Sequence, residues 1–208
     1  MKKVFVQGLG FVGSAMATAV ALAKNKEGSS LYSVYGVDLP TKLGTHRVNS
    51  INKGQFPFST SDNKLIKAIF ESHHNGNLKA TTDQDKFNQA DIIIVDLPLD
   101  IPYLEDEPQL KYDNFKFAIK TLGKQVKTGA LIIIETTVPP GTCELIILPT
   151  LNSELKKRNI QPGSVLLAHS YERVMPGADY LSSITDYWRV FAGYTKEAGD
   201  ACEVFLES

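Results

Sequence analysis

Cysteine is scarce in this sequence. Cys143 and Cys202 are the only two among 208 residues, and they form neither a metal-ligand spacing nor a disulfide framework. No metal site is expected, and the two thiols read as reduced cytosolic side chains. Net charge is nearly absent as well: 22 lysines and arginines against 23 acids leave a formal charge of -1. That balance gives no electrostatic footing for nucleic acid or an anionic membrane surface. Long apolar runs are missing, since none approaches the roughly 18 residues that a spanning helix needs. The start, MKKVFVQG, passes straight into a predicted strand and not into a signal peptide, so the expected location is the cytoplasm. No repeat, low-complexity tract or linker breaks the chain. With 43% hydrophobic and 22% charged residues, it has the composition of a globular protein able to bury a sizeable core.

What is present is an alternation of two periodicities. Strand candidates are KVFVQG (3–8), LYSVYGVD (31–38), NLKATT (77–82), DIIIVDLP (91–98), ALIIIETT (130–137), SVLLAHS (164–170) and WRVFAGY (188–194). Several are continuous runs of Ile, Val and Leu, as strands covered on both faces should be. Between them FVGSAMATAVALAKN, RVNSINKG, DNKLIKAIFESHH, FKFAIKTLGKQV and CELIILPTLNSELKKRN carry helical spacing. The alternation predicts an α/β fold of the Rossmann type: a doubly wound, mostly parallel sheet with helices on both faces. Residues 1–194 are expected to form this domain. The last stretch, TKEAGDACEVFLES (195–208), reads as the start of a connecting helix, because no Gly, Pro or basic last turn ends it.

The first turn carries chemistry. VFVQGLGFVGSAMA sets Gly8, Gly10 and Gly13 in G-x-G-x-x-G spacing between a strand and a helix. Gly8 suits the tight turn, Gly10 admits a pyrophosphate close to the backbone, and Gly13 lets the helix sit against the strand. The next strand ends in Asp38, 25 residues past Gly13, with the polar insert NKEGSS (25–30) accounting for the length. An acid there accepts hydrogen bonds from an adenosine ribose and repels a 2'-phosphate, so NAD is favoured over NADP. Lys42, His46 and Arg47 follow, either softening that preference or forming a solvated helix start.

Two further strand ends are polar. In IIIETTVPPGTCELI the strand ends at Thr136-Thr137 before a rigid Pro139-Pro140-Gly141 turn. Those hydroxyls either face a ligand or serve as caps and turn formers. AHSYERVMPG (168–177) puts His169, Ser170, Tyr171, Glu172 and Arg173 just past a buried strand. In open parallel sheets ligands bind beyond such carboxyl ends, so Glu172 is a candidate functional acid.

GLGFVG, the acid of VD, RVNSINKGQFP (47–57), ADIIIVDLPLD (90–100), TTVPPGT (136–142) and YERVMPG (171–177) occur in that order over most of the chain. Together they resemble the N-terminal NAD-binding domain of the UDP-glucose/GDP-mannose (nucleotide-sugar) 6-dehydrogenase family. DLPLD stands in place of the usual VPTP, and Tyr171 in place of a proline before Glu172. The resemblance implies NAD contacts at Gly8, Gly10, Phe11, Val12, Gly13, Asp38, Arg47, Pro98 and Thr137. It implies that Glu172, Arg173 and Val174 meet the substrate, and that Glu172 and Thr137 are catalytic, aiding water attack on a thioester.

The implied reaction takes the primary alcohol of a UDP- or GDP-sugar to the uronate in two NAD-dependent steps through a thioester on a cysteine. The family's nucleophile lies in a GGSC.PKD-like segment, which these 208 residues do not contain. The resemblance therefore implies a chain inactive by itself and a full-length enzyme that dimerises through a central helix. Cys143, at a helix start after PPGT, reads as packing and not as a substitute nucleophile. The competing reading is a stand-alone NAD-binding regulatory module without catalysis.

Overall fold

The structure, a computed structural model, describes residues 1–99 and 111–208, together with the backbone of two short strands at 103–104 and 107–108. Asp100, the last residue of the ADIIIVDLPLD motif, lies outside the described residues. The chain begins β1 (Lys2–Gln7), α1 (Phe11–Leu22), β2 (Tyr32–Val37), α2 (Lys42–Ile51), α3 (Asn63–His74), β3 (Leu78–Thr81) and β4 (Ile92–Val95). A two-residue ladder follows, β5 (Tyr103–Leu104) and β6 (Glu107–Pro108). The chain then runs through α4 (Asp113–Gln125), β7 (Leu131–Ile134), α5 (Leu148–Lys157), β8 (Leu166–His169), α6 (Tyr180–Thr185), β9 (Ala192–Gly193) and α7 (Lys196–Leu206).

The main sheet has the order β3-β2-β1-β4-β7-β8-β9. Every pairing is parallel except the last, where β9 runs against β8. The order reverses between β1 and β4: the chain first winds outward to β3, then returns past β1 to build the other half. That reversal opens a crevice at the carboxyl ends of β1 and β4.

The continuous apolar runs are explained by two cores, one on each face. Ile92 and Ile94 of β4 enter one core with Ala17 of α1 and Ile69 of α3, while Ile93 and Val95 enter the other with Ile119 of α4 and Leu151 of α5. Strand β7 divides the same way, Leu131 and Ile133 against Ile132 and Ile134. A strand with period-2 side chains that meets a helix layer on each side cannot carry a polar face. The expected doubly wound fold is what forms.

Caps set the helix starts. Thr41 accepts from the Gly44 N–H, so α2 begins five residues ahead of the RVNSINKG stretch that periodicity marks. Asp62 accepts from the Lys64 and Leu65 N–H groups of α3 and, through its other oxygen, from the Leu181 N–H of α6. That one buried carboxylate ties two helices on the same side of the sheet. Helix α7 packs on β7, β8 and β9 and buries Cys202 and Phe205 in the core.

Two features depart from expectation. The strand expected over 188–194 shrinks to Ala192–Gly193 and runs antiparallel at the edge. Trp188 lies 90% exposed beside it, while Arg189 turns inward to Glu135, so the alternation the sequence suggests is broken by an ion pair. Helix α6 goes unmarked by periodicity, because six residues hold too few turns for a pattern.

Candidate cofactor site

The carboxyl ends of β1, β2, β4 and β7 surround a cavity of about 930 Å³. The glycine turn forms its floor, and each glycine has a different reason to be there. Gly8 takes φ +95°, and a Cβ there would lie 2.3 Å from the Asp96 carbonyl oxygen. A Cβ on Gly13 would lie 1.9 Å from the Gly8 carbonyl oxygen, so α1 meets the turn only because Gly13 has none. At Gly10 a Cβ would meet no protein atom within 4 Å. The fold does not demand glycine there, but a ligand lying against the backbone would. Gly10 also starts α1 without a side-chain cap, which leaves first-turn N–H groups free for an anion.

Beyond β2, Asp38 accepts from the Leu39 N–H at 2.7 Å, the Leu9 N–H at 3.3 Å and the Arg47 guanidinium at 3.2 Å. Arg47 lies over the Phe58 ring, 5.4 Å from its centroid, and Phe58 stacks on Phe11 at 4.1 Å. Asp38 is thus pre-positioned at the rim, and its carboxylate is paired with a cation from α2. Lys42 and His46 are exposed and do not line the cavity, so of the three basic residues only Arg47 faces it.

The ends of β4 and β7 are joined by Thr136, whose hydroxyl donates to the Leu97 carbonyl at 2.8 Å and accepts from the Leu97 N–H at 3.0 Å. Thr136 is buried and structural. Thr137, the next residue, is exposed and lines the cavity, as does Pro98. The two hydroxyls that the sequence leaves equivalent therefore separate into a clamp and an open group.

Glu172 lines the cavity from beyond β8, and its Oε2 accepts from the Val174 N–H. Arg173 and Val174 do not line it. Arg173 is exposed and rests on the Tyr171 ring, and Val174 packs against the core. Neither cysteine lines the cavity, and burial pushes both thiols up to about 11. A protonated, half-buried Cys143 packs against the core of the α4–α5 face.

Sequence reasoning passed over three charged residues that meet here. Asp96 follows β4, Glu135 follows β7, and Arg189 precedes β9. Glu135 is fully buried and hydrogen-bonded to Arg189 through Oε1. Burial, above all, lifts Glu135 to about 7, with the Arg189 charge opposing and Glu172 adding to the rise. Burial likewise raises Asp96 well above the usual carboxylate range, helped by the charges of Glu135 and Glu172. A signal existed: each acid is the first residue past a four-residue apolar strand. The arginine that meets them, 54 residues beyond Glu135, has no such mark.

Strand order, crevice and uncapped glycine turn define a dinucleotide-binding domain of the Rossmann type. The family model described as "UDP-glucose/GDP-mannose dehydrogenase family, NAD binding domain" matches residues 2–204, and the chain belongs to that family, with NAD as its cofactor. It is 28% identical over 207 residues to UDP-N-acetyl-D-mannosamine dehydrogenase of Methanocaldococcus jannaschii, covering 100% of this chain and 42% of that protein. It is 30% identical over 202 residues to the enzyme of that name from Campylobacter jejuni, covering 95% of this chain and 45% of the relative. Among solved structures, NDP-N-acetyl-D-galactosaminuronic acid dehydrogenase of Methanosarcina mazei superposes with TM-score 0.85 at 26% identity, covering 99% of this chain and 41% of that one. The chain spans less than half the length of these relatives. Among the described residues no helix is long and apolar enough to cross a membrane.

Proposed function

We propose that this chain is the NAD-binding part of a nucleotide-sugar 6-dehydrogenase, which oxidises the primary alcohol of a UDP- or GDP-sugar to the uronate in two NAD-dependent steps. The observation that carries the reading is convergence. The glycine turn, Asp38, Thr137 and Glu172 come from four separate strand ends and line one cleft. Asp38 would hold the adenosine ribose, the Gly10 backbone and the start of α1 the pyrophosphate, and Pro98 and Thr137 the nicotinamide half. NAD supplies the hydride acceptor. Glu172, with the exposed Thr137 hydroxyl lining the same cleft, would orient the water that hydrolyses the acyl intermediate. Arg173 and Val174 would reach the sugar only if their loop turned towards the cleft, since neither lines it here.

The named relatives weigh towards a UDP-linked N-acetylhexosamine as substrate. We place the enzyme in the cytoplasm, where nucleotide sugars and NAD are held together. Residues 1–194 would form the body of the NAD-binding domain, with α7 packed on its sheet and leading on into a central helix through which the whole enzyme dimerises.

A second reading, an NAD-binding module without chemistry, is favoured by one observation: neither thiol lines the cleft, Cys202 being buried and Cys143 half-buried elsewhere, so these residues supply no nucleophile. The two readings part on stoichiometry. A full-length enzyme carrying this domain should reduce two NAD per sugar consumed, read as NADH absorbance against product uronate. The 208-residue chain alone should produce none. One NADH per sugar from the complete protein, or steady NADH from the isolated chain, would overturn the proposal.

A further inference from the structure

A cluster of ionisable side chains sits where the strand ends meet, and the proposed chemistry uses only one of them. Asp96, Glu135 and Glu172 approach from the ends of β4, β7 and β8 and line the cleft, with Arg189 as the guanidinium among them. Tyr180 of α6 and Cys202 of α7 complete the groups that feel these charges, both held in their neutral forms, chiefly by burial. Glu135 Oε2, Asp96 Oδ2 and Gln7 Oε1 are enclosed with no hydrogen-bond partner. Glu135 is 0% and Gln7 5% exposed, yet both line the cleft, so unpaired polar atoms lie under the space a ligand would fill. A buried, unpaired acceptor is costly unless something satisfies it.

Three carboxylates around one guanidinium would carry two net negative charges in a poorly hydrated pocket. Such a cluster keeps at least part of a proton near neutral pH. The cofactor assignment says which charge comes to it. With the adenosine ribose at Asp38 and the pyrophosphate at Gly10, the remaining half of NAD would lie towards β4 and β7, on the cluster's side of the crevice. The oxidised nicotinamide ring bears a positive charge and the reduced ring is neutral. The pyrophosphate is the same in both.

We infer that the Asp96–Glu135 pair, with the Glu172 charge beside it, is a proton-linked sensor of the cofactor's oxidation state: it holds fewer protons beneath NAD+ than beneath NADH. The cluster thereby favours the oxidised cofactor, and favours it more as pH rises. By linkage, the ratio of the NADH to the NAD+ dissociation constant climbs with pH, by up to tenfold per unit when one whole proton is coupled. This rests on the NAD assignment and is independent of which sugar the enzyme uses.

The test is calorimetric titration of the 208-residue chain with NAD+ and with NADH at pH 7, in phosphate and in Tris. The dependence of heat on buffer ionisation enthalpy counts the protons exchanged. Binding of NADH should take up about half a proton to one proton more than binding of NAD+. The Kd ratio should rise about 3- to 10-fold per unit between about pH 6 and 8. Asp96→Asn should at least halve that rise. The wild-type pH series stands as a test by itself if the variant does not fold. Equal proton exchange for the two nucleotides, a flat ratio, or an Asp96→Asn protein with the full wild-type rise would overturn the inference and leave the NAD assignment standing. Failure of either nucleotide to bind would overturn both.

Discussion

Gly10 and Gly13 belong to one motif, and the structure predicts opposite outcomes for adding a methyl group to each. At Gly13 the new Cβ would lie 1.9 Å from the Gly8 carbonyl oxygen and 3.3 Å from Asp96 Cβ, between α1 and the turn it rests on. The colliding atom is backbone, so relief requires α1 to move off β1. Overpacking of this kind costs about 1–3 kcal/mol, which for a domain near this size lowers Tm by roughly 2–12 °C. At Gly10 φ is -66°, a value any residue adopts, and no protein atom lies within 4 Å of the added carbon. Gly10→Ala should therefore fold with Tm within about 2 °C of wild type. It should lose at least about tenfold in NAD affinity, because the methyl group fills the space against which a pyrophosphate would lie. Thermal melts by circular dichroism and calorimetric NAD titrations on both variants decide the matter. If Gly10→Ala binds NAD as wild type does, or melts as low as Gly13→Ala, the assignment of the pyrophosphate to this turn is wrong.

Glu172→Gln in the complete enzyme should slow turnover by about 10²–10⁴, the usual worth of a general base, while NAD affinity stays nearly unchanged. Mass spectrometry of the quenched reaction should show an acyl adduct building up; a loss of cofactor affinity with no adduct would make Glu172 a binding residue. Burial raises Glu135 from 4.5 to about 7 in the folded chain, so its contribution to stability is complete below about 4.5 and is lost as pH climbs through about 7. Tm should accordingly fall between about pH 5 and 8, and Glu135→Gln should flatten that fall; a Tm that rises over the same range would contradict the raised carboxyl.

The doubly wound sheet is legible because several inner strands, β4 and β7 above all, are short runs of Ile, Val and Leu, and the turn is legible because three glycines stand at fixed spacing between a strand and a helix. Both signals are local. What escaped the sequence is contact between distant segments. The edge strand fails at Arg189 because Glu135, fixed at the end of β7, draws that side chain inward. Thr136 and Thr137 are chemically alike in sequence. Only the proximity of Leu97, 39 residues away, turns the first into a clamp and leaves the second open to the cleft. The sequence marks Asp38 as a ribose acceptor, and the structure adds that Arg47 of α2 already holds it at the rim.

The account turns on Asp38 facing the adenosine ribose of NAD, and one comparison tests it most directly: calorimetric Kd values of the wild-type chain and Asp38→Ala for NAD and for NADP. Removing a carboxylate that accepts a charge-assisted hydrogen bond costs roughly 1.5–3 kcal/mol, or about 10- to 150-fold in affinity. The variant also frees Arg47, now 3.2 Å from Asp38, to meet a 2'-phosphate. Wild type should prefer NAD, and Asp38→Ala should lose most of its NAD affinity while NADP binding holds or improves. Equal losses for the two cofactors, or a variant that binds NAD as wild type does, would contradict the assignment.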